Sequence, residues 1–365
     1  MRAVDCQSFA GGFALGVVQA GFELAGKREV TGGFGVAAME ANRHLLGYRW
    51  LAQDSAPEDW EPVKAELVFG NPPCSGYSVQ SAGVSEKAGR AFGPEFQAKM
   101  NACQVNFVNY AAECDPEVVI FECVPGAFTR GREAMQRLHA RLEFLTGHQY
   151  TLHHVLHNVM HLGGAQNRAR YFFVASRVPF AVDTAKIPGE TVSERLGGIP
   201  DDAEGHFILD CPRTRLLAEL AATTEWNPGE KSCIPHARNP SVPIYKPDQS
   251  MSGFCSTRLR GDKPGRVVAG DALMTTVHPT EDRTITYREI ARLMGLPDTW
   301  TTAPYRHPKS RSFWFGKGIC VEPGRWIAEA AANAIEGNPV GTPGEQIGDR
   351  EYLIDANHKE RAHAG

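Results

Sequence analysis

The sequence predicts an α/β fold with a mainly parallel sheet, followed by a smaller loop-rich region. Two short apolar runs, residues 65–70 and 116–122, each end at a proline-containing loop, and residues 94–114 between them carry apolar side chains at helical spacing. A third apolar run, residues 170–176, predicts a further buried strand. Strands that alternate with helices favour a parallel sheet with right-handed crossovers, and ligands of such sheets bind beyond the carboxyl ends of the strands.

Composition narrows the class of protein. The chain has 365 residues, 42% of them hydrophobic and 22% charged, as in ordinary soluble globular proteins. No apolar run reaches membrane-spanning length, and the first residues lack the pattern of a secretory signal. The nine cysteines are scattered rather than regularly spaced, which fits a reduced, cytoplasmic protein. Because the net charge is −4, any nucleic-acid surface has to be local.

The texture of the sequence divides the chain into four parts. Residues 1–180 alternate strand-like and helix-like stretches and form the main domain. Residues 181–282 are rich in proline, glycine and short polar runs, which predicts a second, loop-rich domain. Residues 283–337 again show helical patterning, which predicts that this segment belongs to the main domain. Residues 338–365 are predicted to form a polar tail.

Three polar positions follow or begin the predicted strands. Cys74 stands in a tight loop after the first strand, where it is either a packed free thiol or an exposed nucleophile. Glu122 ends the next strand; if buried, its carboxylate needs a specific partner or a role in proton transfer, whereas an N-cap or a surface acid is the plainer alternative. Arg168 and Arg170 stand at the entry of a strand, and we expect only one of them to face the site.

Together these stretches resemble the DNA cytosine-5 methyltransferase family. Its motifs are matched in order by seven segments of the chain: residues 11–23, 37–43, 70–78, 121–126, 165–170, 283–300 and 314–323. The resemblance implies a Rossmann-like class I methyltransferase domain, with residues 181–282 as a target-recognition domain. It also implies a prokaryotic or phage-encoded enzyme that acts as a monomer on double-stranded DNA.

The resemblance implies the following chemistry. The target cytosine is flipped out of the duplex, and the thiolate of Cys74 adds to carbon 6 so that carbon 5 becomes nucleophilic. Glu122 holds the ring nitrogen and the exocyclic amine, Arg170 contacts the base carbonyl, and Arg168 supports the loop and the thiolate. The donor is S-adenosylmethionine or its carboxy derivative, and Glu40 binds its ribose hydroxyls.

The remaining predicted site residues fall into two sets. Donor-binding residues besides Glu40 are Phe9, Ala10, Gly11, Gly12, Asp54, Asn71, Pro72, Lys317 and Gly318. DNA-binding residues are Ser78, Arg258, Arg260 and Lys263. We expect no metal: Cys211, Cys233, His236 and Cys255 are conceivable zinc ligands, but their spacing is not a recognised zinc pattern. We interpret His153, His157 and His161 as structural residues of a strand.

The sequence departs from the family pattern in three places. The first motif is about two residues short, Cys123 replaces the asparagine of Glu-Asn-Val, and Lys317 replaces the asparagine of the final Gly-Asn-(Ala/Ser)-Val motif. In the family this last asparagine lies close to the reactive end of the donor, which bears a positive sulfonium. A second cation about 4 Å away would cost on the order of 4 kcal/mol at an effective dielectric constant of 20.

Lys317 therefore suits a donor whose transferred group is negatively charged. Carboxy-S-adenosylmethionine carries a carboxylate there, and a charge-assisted bond to it would contribute roughly 1.5–3 kcal/mol. The prediction is that Lys317 selects this donor and that the product is 5-carboxymethylcytosine. One alternative is an ordinary methyltransferase in which Lys317 turns to solvent, pairs with Glu322 or is neutral. Another is a tRNA cytosine-5 methyltransferase.

Overall fold

The computed structural model describes most of the chain. The described residues are 1–8, 11–29, 34–48, 50–53, 63–73, 77, 94–129, 131–223, 231–232, 256–268, 270, 272–305 and 313–348.

An eight-stranded sheet forms the centre of the fold. From one edge to the other its strands are β3 (Trp50–Gln53), β2 (Glu23–Glu29), β1 (Arg2–Cys6), β4 (Leu67–Gly70), β5 (Val118–Cys123), β8 (Ala169–Ser176), β6 (Thr151–Asn158) and β15 (Gln346–Ile347). All neighbours are parallel except that β8 runs antiparallel to β5 and β6. The predicted mainly parallel sheet is confirmed, and the three predicted strands match β4, β5 and β8 within two residues.

Twelve α-helices are present in the described part of the chain. They are α1 (Gly12–Gln19), α2 (Phe34–Ala41), α3 (Arg43–Leu46), α4 (Pro94–Cys114), α5 (Gly126–Thr129), α6 (Arg132–Thr146), α7 (Val192–Leu196), α8 (Pro212–Thr223), α9 (Ala272–Thr275), α10 (Tyr287–Leu293), α11 (Phe313–Lys317) and α12 (Val321–Ile335). Within the described ranges, none of them combines the length and the apolar character that crossing a membrane requires.

Each face of the sheet has its own apolar core. In β4, Leu67 and Phe69 belong to the core that holds α1 and α12, whereas Val68 belongs to the core that holds α4 and α6. This alternation is the period of two that a strand imposes on its side chains. In the second core, the Phe107 and Phe121 rings meet edge to face, with centroids 5.4 Å apart. The sheet is therefore covered on both faces, as parallel sheets require.

Glycines in the first motif let α1 pack very closely against the last part of the chain. A methyl group on Gly12 would lie 2.1 Å from the carbonyl oxygen of Ile319, and one on Gly16 would lie 2.4 Å from the amide nitrogen of Arg325. Both distances are far shorter than any real carbon contact, so only glycine fits at either position. The N-terminal glycine run thus places the final motif directly beside the start of α1.

The second region adds small sheets to this framework. One has three strands, β10 (Lys231–Ser232), β11 (Ser256–Arg258) and β13 (Thr276–Val277); two pairs join β12 (Gly265–Arg266) to β7 (Gln166–Asn167) and β14 (Thr342–Pro343) to β9 (Ala181–Val182). Val192, Leu259 and Leu273 from this region lie in the same core as α1 and α12. The predicted second domain therefore shares its core with the main domain in the part that the structure describes.

The predicted tail is wrong for residues 338–348. Two strands lie within it: β14 pairs with β9, and β15 extends the central sheet beside β6. Ile347 is only 1% exposed, and a methyl group on Gly348 would meet the carbonyl oxygen of Leu156 at 2.1 Å. The polar, glycine-containing sequence gives no strand pattern here, because each of the two strands is only two residues long. Residues 349–365 lie outside the described part.

Candidate active site

The carboxyl ends of β1, β4 and β5 meet at one edge of the sheet, because these strands are parallel neighbours. The first residues beyond β1 and β4 are joined there, since the amide nitrogen of Asn71 donates to the carbonyl oxygen of Gln7 at 3.1 Å. Glu122 lies one residue before the end of β5. Five predicted site residues fall outside the described ranges: Phe9, Ala10, Asp54, Cys74 and Ser78.

Glu122 is buried and has specific partners, as the sequence predicts. Its side chain is almost inaccessible, with Asn71 Nδ2 2.5 Å from Oε2 and Arg170 Nε 2.9 Å from Oε1. The contact with Arg170 is an ion pair to Oε1. Burial raises the pKa of Glu122, and the charges of Arg170 and Arg168 oppose this. The carboxyl group can therefore hold a proton closer to neutral pH than an exposed glutamate.

Arg168 has a different task from Arg170. Its guanidinium donates to three backbone carbonyls, those of Val268 at 3.3 Å, Gly316 at 3.2 Å and Gly318 at 2.7 Å. Two of these carbonyls flank Lys317. Only Arg170 pairs with Glu122, whereas Arg168 fixes the loop that carries Lys317. The side chains diverge because Arg168 precedes β8 and its own amide is held by Asn158 Oδ1.

Gln166 is a further structural residue whose role the sequence did not reveal. Its fully buried amide donates to the carbonyl of Leu293 at 2.7 Å and accepts from the amide of Val268 at 2.8 Å. The same amide nitrogen lies 3.4 Å from Cys320 Sγ. Gln166 therefore joins α10, the second region and the start of α12 behind the site. The only sequence signal was its place at the head of the Gln-x-Arg-x-Arg motif.

Lys317 is the last residue of α11, and its side chain is exposed. Two residues later, the carbonyl of Ile319 touches the backbone of Gly12 at the start of α1, so the loop lies beside the predicted donor site. Glu322, one of the alternative partners predicted for Lys317, accepts instead from Arg195 Nη2 at 2.6 Å.

The predicted role of Glu40 does not fit the structure. Glu40 lies on α2, half-exposed, with Arg43 Nη1 at 3.4 Å and the Tyr48 hydroxyl at 3.3 Å. An acid that binds ribose hydroxyls in such a sheet stands at the carboxyl end of a strand. Glu29 is the last residue of β2, next to β1 in the sheet.

Trp300 packs against Gly11, one of the predicted donor-binding residues. It is fully buried, and a methyl group on Gly11 would lie 2.5 Å from its ring. Gly11 precedes α1 with φ of 87°, a left-handed conformation that glycine adopts without strain. Asn42 fixes this tryptophan segment by accepting from the amide of Thr301 at 2.8 Å and donating to its carbonyl at 3.2 Å.

Arg258 does not fit its predicted role in DNA binding. Its side chain is buried, and its guanidinium donates to the carbonyls of His278, Glu281 and Ala221 and to Asp282 Oδ1. Arg258 therefore holds the second region together.

The other two predicted DNA contacts that the structure describes are exposed. Arg260 forms an ion pair with Asp262 at 2.6 Å, and Lys263 is on the surface.

The predicted zinc ligands and structural histidines have mixed outcomes. Of the four zinc candidates only Cys211 is described, and no group of three or more potential metal ligands occurs among the described residues. His153 and His157 lie in strand β6, as predicted, and His161 lies in the short 3₁₀ turn after it. The His157 ring stacks on Phe172, with centroids 4.7 Å apart.

Known proteins resemble this chain over almost its full length. Type II methyltransferase M.NgoPII of Neisseria gonorrhoeae is 23% identical over 352 residues, which is 92% of this chain and 96% of the relative. Type II methyltransferase M1.HphI of Haemophilus parahaemolyticus is 26% identical over 312 residues, 81% of this chain and 77% of the relative.

Solved structures show the same fold. A structure described as a DNA modification methyltransferase encoded within an E. coli prophage superimposes with a TM-score of 0.65 at 18% identity, and covers 92% of this chain and 99% of its own. The family model for C-5 cytosine-specific DNA methylases matches residues 1–333. The sequence motifs, the residues gathered at the carboxyl ends of the strands and the family match all point to one family. The chain belongs to the C-5 cytosine-specific DNA methylase family.

Proposed function

We propose that the protein alkylates carbon 5 of cytosine in double-stranded DNA, with Cys74 as the nucleophile and a base flipped out of the duplex. The observation that carries this proposal is the buried Glu122, held by Asn71 and Arg170 at the edge where β4 and β5 end. Cys74 follows Asn71 by three residues in the same loop of the sequence. The description of the family as C-5 cytosine-specific DNA methylases supports the same substrate.

The chain's own residues account for the activation of the base. Addition of the Cys74 thiolate to carbon 6 places negative charge on the ring, which protonation of the adjacent ring nitrogen relieves. Glu122 can supply this proton because burial raises its pKa. The carboxylate left behind stays paired with Arg170 at 2.9 Å. A carboxyl group with a raised pKa and a guanidinium beside it can share the charge that develops on the ring, which favours the charged transition state.

The carboxyl ends of β1 and β2, where the predicted donor site lies, suit an adenosyl sulfonium compound. Gly11 turns the chain into the N-terminus of α1, and Glu29 ends β2 beside it. This is the arrangement in which doubly wound sheets hold a nucleoside, with an acid for the ribose hydroxyls. We place Glu29, rather than Glu40, in that role. The donor supplies the electrophilic carbon when bound.

For the transferred group, we propose a carboxymethyl group from carboxy-S-adenosylmethionine. Lys317 supports this, because Arg168 fixes the backbone on both sides of it and Ile319 holds the loop against Gly12. A cation that reaches the donor from this loop disfavours a plain sulfonium and favours a carboxylate on the transferred carbon. An ordinary methyl transfer from S-adenosylmethionine is the second candidate, and the relatives' names favour it.

Mass spectrometry of nucleosides distinguishes these functions. The enzyme is incubated with duplex DNA or tRNA and an equimolar mixture of the two donors. Lys317→Asn is compared with Lys64→Asn. Lys64 is an exposed lysine that pairs with Asp115 and precedes β4, so it lies at the amino-terminal ends of the strands, away from the site. Carboxymethylcytosine from wild type and the control, and methylcytosine from Lys317→Asn, would support the proposal.

Methylcytosine from all three proteins would show an ordinary methyltransferase. A product on tRNA alone would move the substrate from DNA to RNA. No modified cytosine on either nucleic acid would refute cytosine transfer itself.

A further inference from the structure

The short helix α7 joins two parts of the chain that the proposed function assigns to different ligands. It begins with a capping box, in which the Thr191 hydroxyl accepts from the amide of Glu194 and the Glu194 carboxylate accepts from the amide of Thr191. These reciprocal bonds fix the first turn of the helix.

The N-terminus of α7 is bonded to the basic loop, residues 260–263. The amide of Val192 donates to the carbonyl of Lys263 at 3.1 Å, and the amide of Ser193 donates to the carbonyl of Gly261 at 3.0 Å. A methyl group on Gly261 would lie 2.3 Å from Ser193 Oγ, so the two segments are in direct contact. The loop that carries two exposed predicted DNA contacts is therefore held by α7.

The other end of α7 reaches the start of α12 through one side chain. Arg195 Nη2 donates to Glu322 Oε1 at 2.6 Å, and Glu322 is the second residue of α12. The two side chains are only 18% and 13% exposed, so salt screens this pair less than a surface pair. Arg195 Nε also lies 2.7 Å from Glu190 Oε2, but that carboxylate is half-exposed. The better shielded ion pair is thus the one that leaves the second region.

The start of α12 directly follows the loop that carries Lys317. Glu322 comes five residues after Lys317, and between them the carbonyl of Ile319 touches the backbone of Gly12 at the start of α1. A shift of the first turn of α12 would therefore change the contact between this loop and the predicted donor site.

We propose that Arg195 is a positioning residue that links the basic loop to the donor site, so that DNA and the donor each strengthen the binding of the other. The inference rests on the proposed function. Each step from Lys263 to Glu322 is a backbone hydrogen bond, a helical turn or an ion pair. A ligand that fixes one end of this series reduces the freedom of the other end, so the second ligand loses less entropy when it binds.

The apolar core keeps the two regions together whether or not the ion pair is present. Val192 and Leu259 lie in the same core as α1 and α12. A variant without Arg195 should therefore fold, and thermal unfolding checks this. The loss that we expect is in the dependence of one ligand on the other.

The test measures the affinity of the protein for a fluorescein-labelled DNA duplex of mixed sequence, with and without saturating S-adenosylhomocysteine. This compound has no transferred group, so the result does not depend on the choice between methyl and carboxymethyl. We expect it to lower the Kd of wild type for the duplex by about 5-fold or more, and to change that of Arg195→Gln by less than about twofold. Calorimetric titration of S-adenosylhomocysteine with and without the duplex should give the same ratio for each protein, because coupling between two sites is reciprocal.

Variants of the neighbouring charges separate the ion pair from the arginine itself. Glu322→Gln should lose the coupling as Arg195→Gln does, and the double variant should lose no more than either, because all three remove one interaction. Glu190→Gln removes the exposed partner and should keep the wild-type ratio. Arg215→Gln is the matched control: it removes an exposed arginine of the same region that pairs with Asp210 at 2.6 Å, and should also keep the wild-type ratio.

Three results would overturn the inference in different ways. If Arg195→Gln and Glu322→Gln bind both ligands more weakly but keep the wild-type ratio, the ion pair contributes stability alone. If neither ligand changes the affinity of wild type for the other, the two sites are not linked, and the proposed function stands without this inference. If wild type does not bind duplex DNA, the proposed function fails, and this inference with it.

Discussion

Replacement of Arg168 tests how the structure holds the Lys317 loop. Arg168 is 2% exposed, and its guanidinium donates to three carbonyls, at 3.3, 3.2 and 2.7 Å. Arg168→Met fills similar volume but leaves those acceptors without this donor. At about 1–1.5 kcal/mol for each buried group left unsatisfied, the free energy of unfolding should fall by about 3–5 kcal/mol. Because two of the carbonyls flank Lys317, donor affinity should fall about 10-fold or more.

The assay is urea unfolding followed by tryptophan fluorescence, together with calorimetric titration of S-adenosylhomocysteine. Arg177→Met is the matched control: this arginine follows β8 at its other end, is partly exposed, and bonds to Asp115. It should lose about 1 kcal/mol and keep its donor affinity. Arg168→Lys should resemble the methionine variant, because a compact ammonium cannot span three separated carbonyls. Equal stability and equal donor affinity for Arg168→Met and Arg177→Met would refute the reasoning.

Three further predictions follow from single contacts. Asn42→Ala removes the side chain that holds the backbone after Trp300, and should lower the free energy of unfolding by roughly 2 kcal/mol in urea, whereas the exposed His44→Ala should change it by less than about 0.5 kcal/mol. Burial holds the pKa of His157 at about 3 against 6.5, so the unfolded chain alone takes up this proton as the pH falls from about 6.5 towards 3, and stability declines over that window. In His157→Phe this decline should be shallower by up to about 1.36 kcal/mol per pH unit, and unchanged slopes would contradict the assignment. Gly295 and Gly337 both have a positive φ, of 80° and 78°, so alanine is strained at either position, but only at Gly295 would the added methyl group lie 2.6 Å from a carboxylate oxygen, that of Glu322. The melting temperature should therefore fall more for Gly295→Ala than for Gly337→Ala. Equal decreases would exclude the steric contribution.

The sequence predicted best where many residues share one pattern. Strands β4, β5 and β8 and the helix α4 follow from apolar periodicity, which sums over the whole element. Strands β14 and β15 were missed because two residues are too few to show alternation. Their stability comes from the neighbouring strands, which local sequence does not encode.

Individual site residues were predicted less well, because their roles depend on contacts across the fold. Glu122 and Arg170 were expected at one site and are paired in it. Arg258 was expected on DNA because it stands in a basic run, yet four oxygen acceptors from other segments bury it. Glu40 was predicted to bind the donor from a short motif, and such a motif can match a helix as well as the end of a strand. Glu40 lies on α2, whereas Glu29, the acid proposed above for this role, ends β2.

The position of β15 sets an order on how the protein can be made. Its partner β6 is complete after residue 158, but Gln346 and Ile347, which cover its outer edge, are synthesised only after the whole second region. Throughout translation of the second region, β6 presents unpaired backbone groups, the feature by which sheets recruit foreign strands. Nascent chains on one messenger therefore each expose this unpaired strand edge until residue 347 has been made. Slower elongation or a stop before residue 346 should thus send the protein into aggregates, although every predicted catalytic residue has already been made.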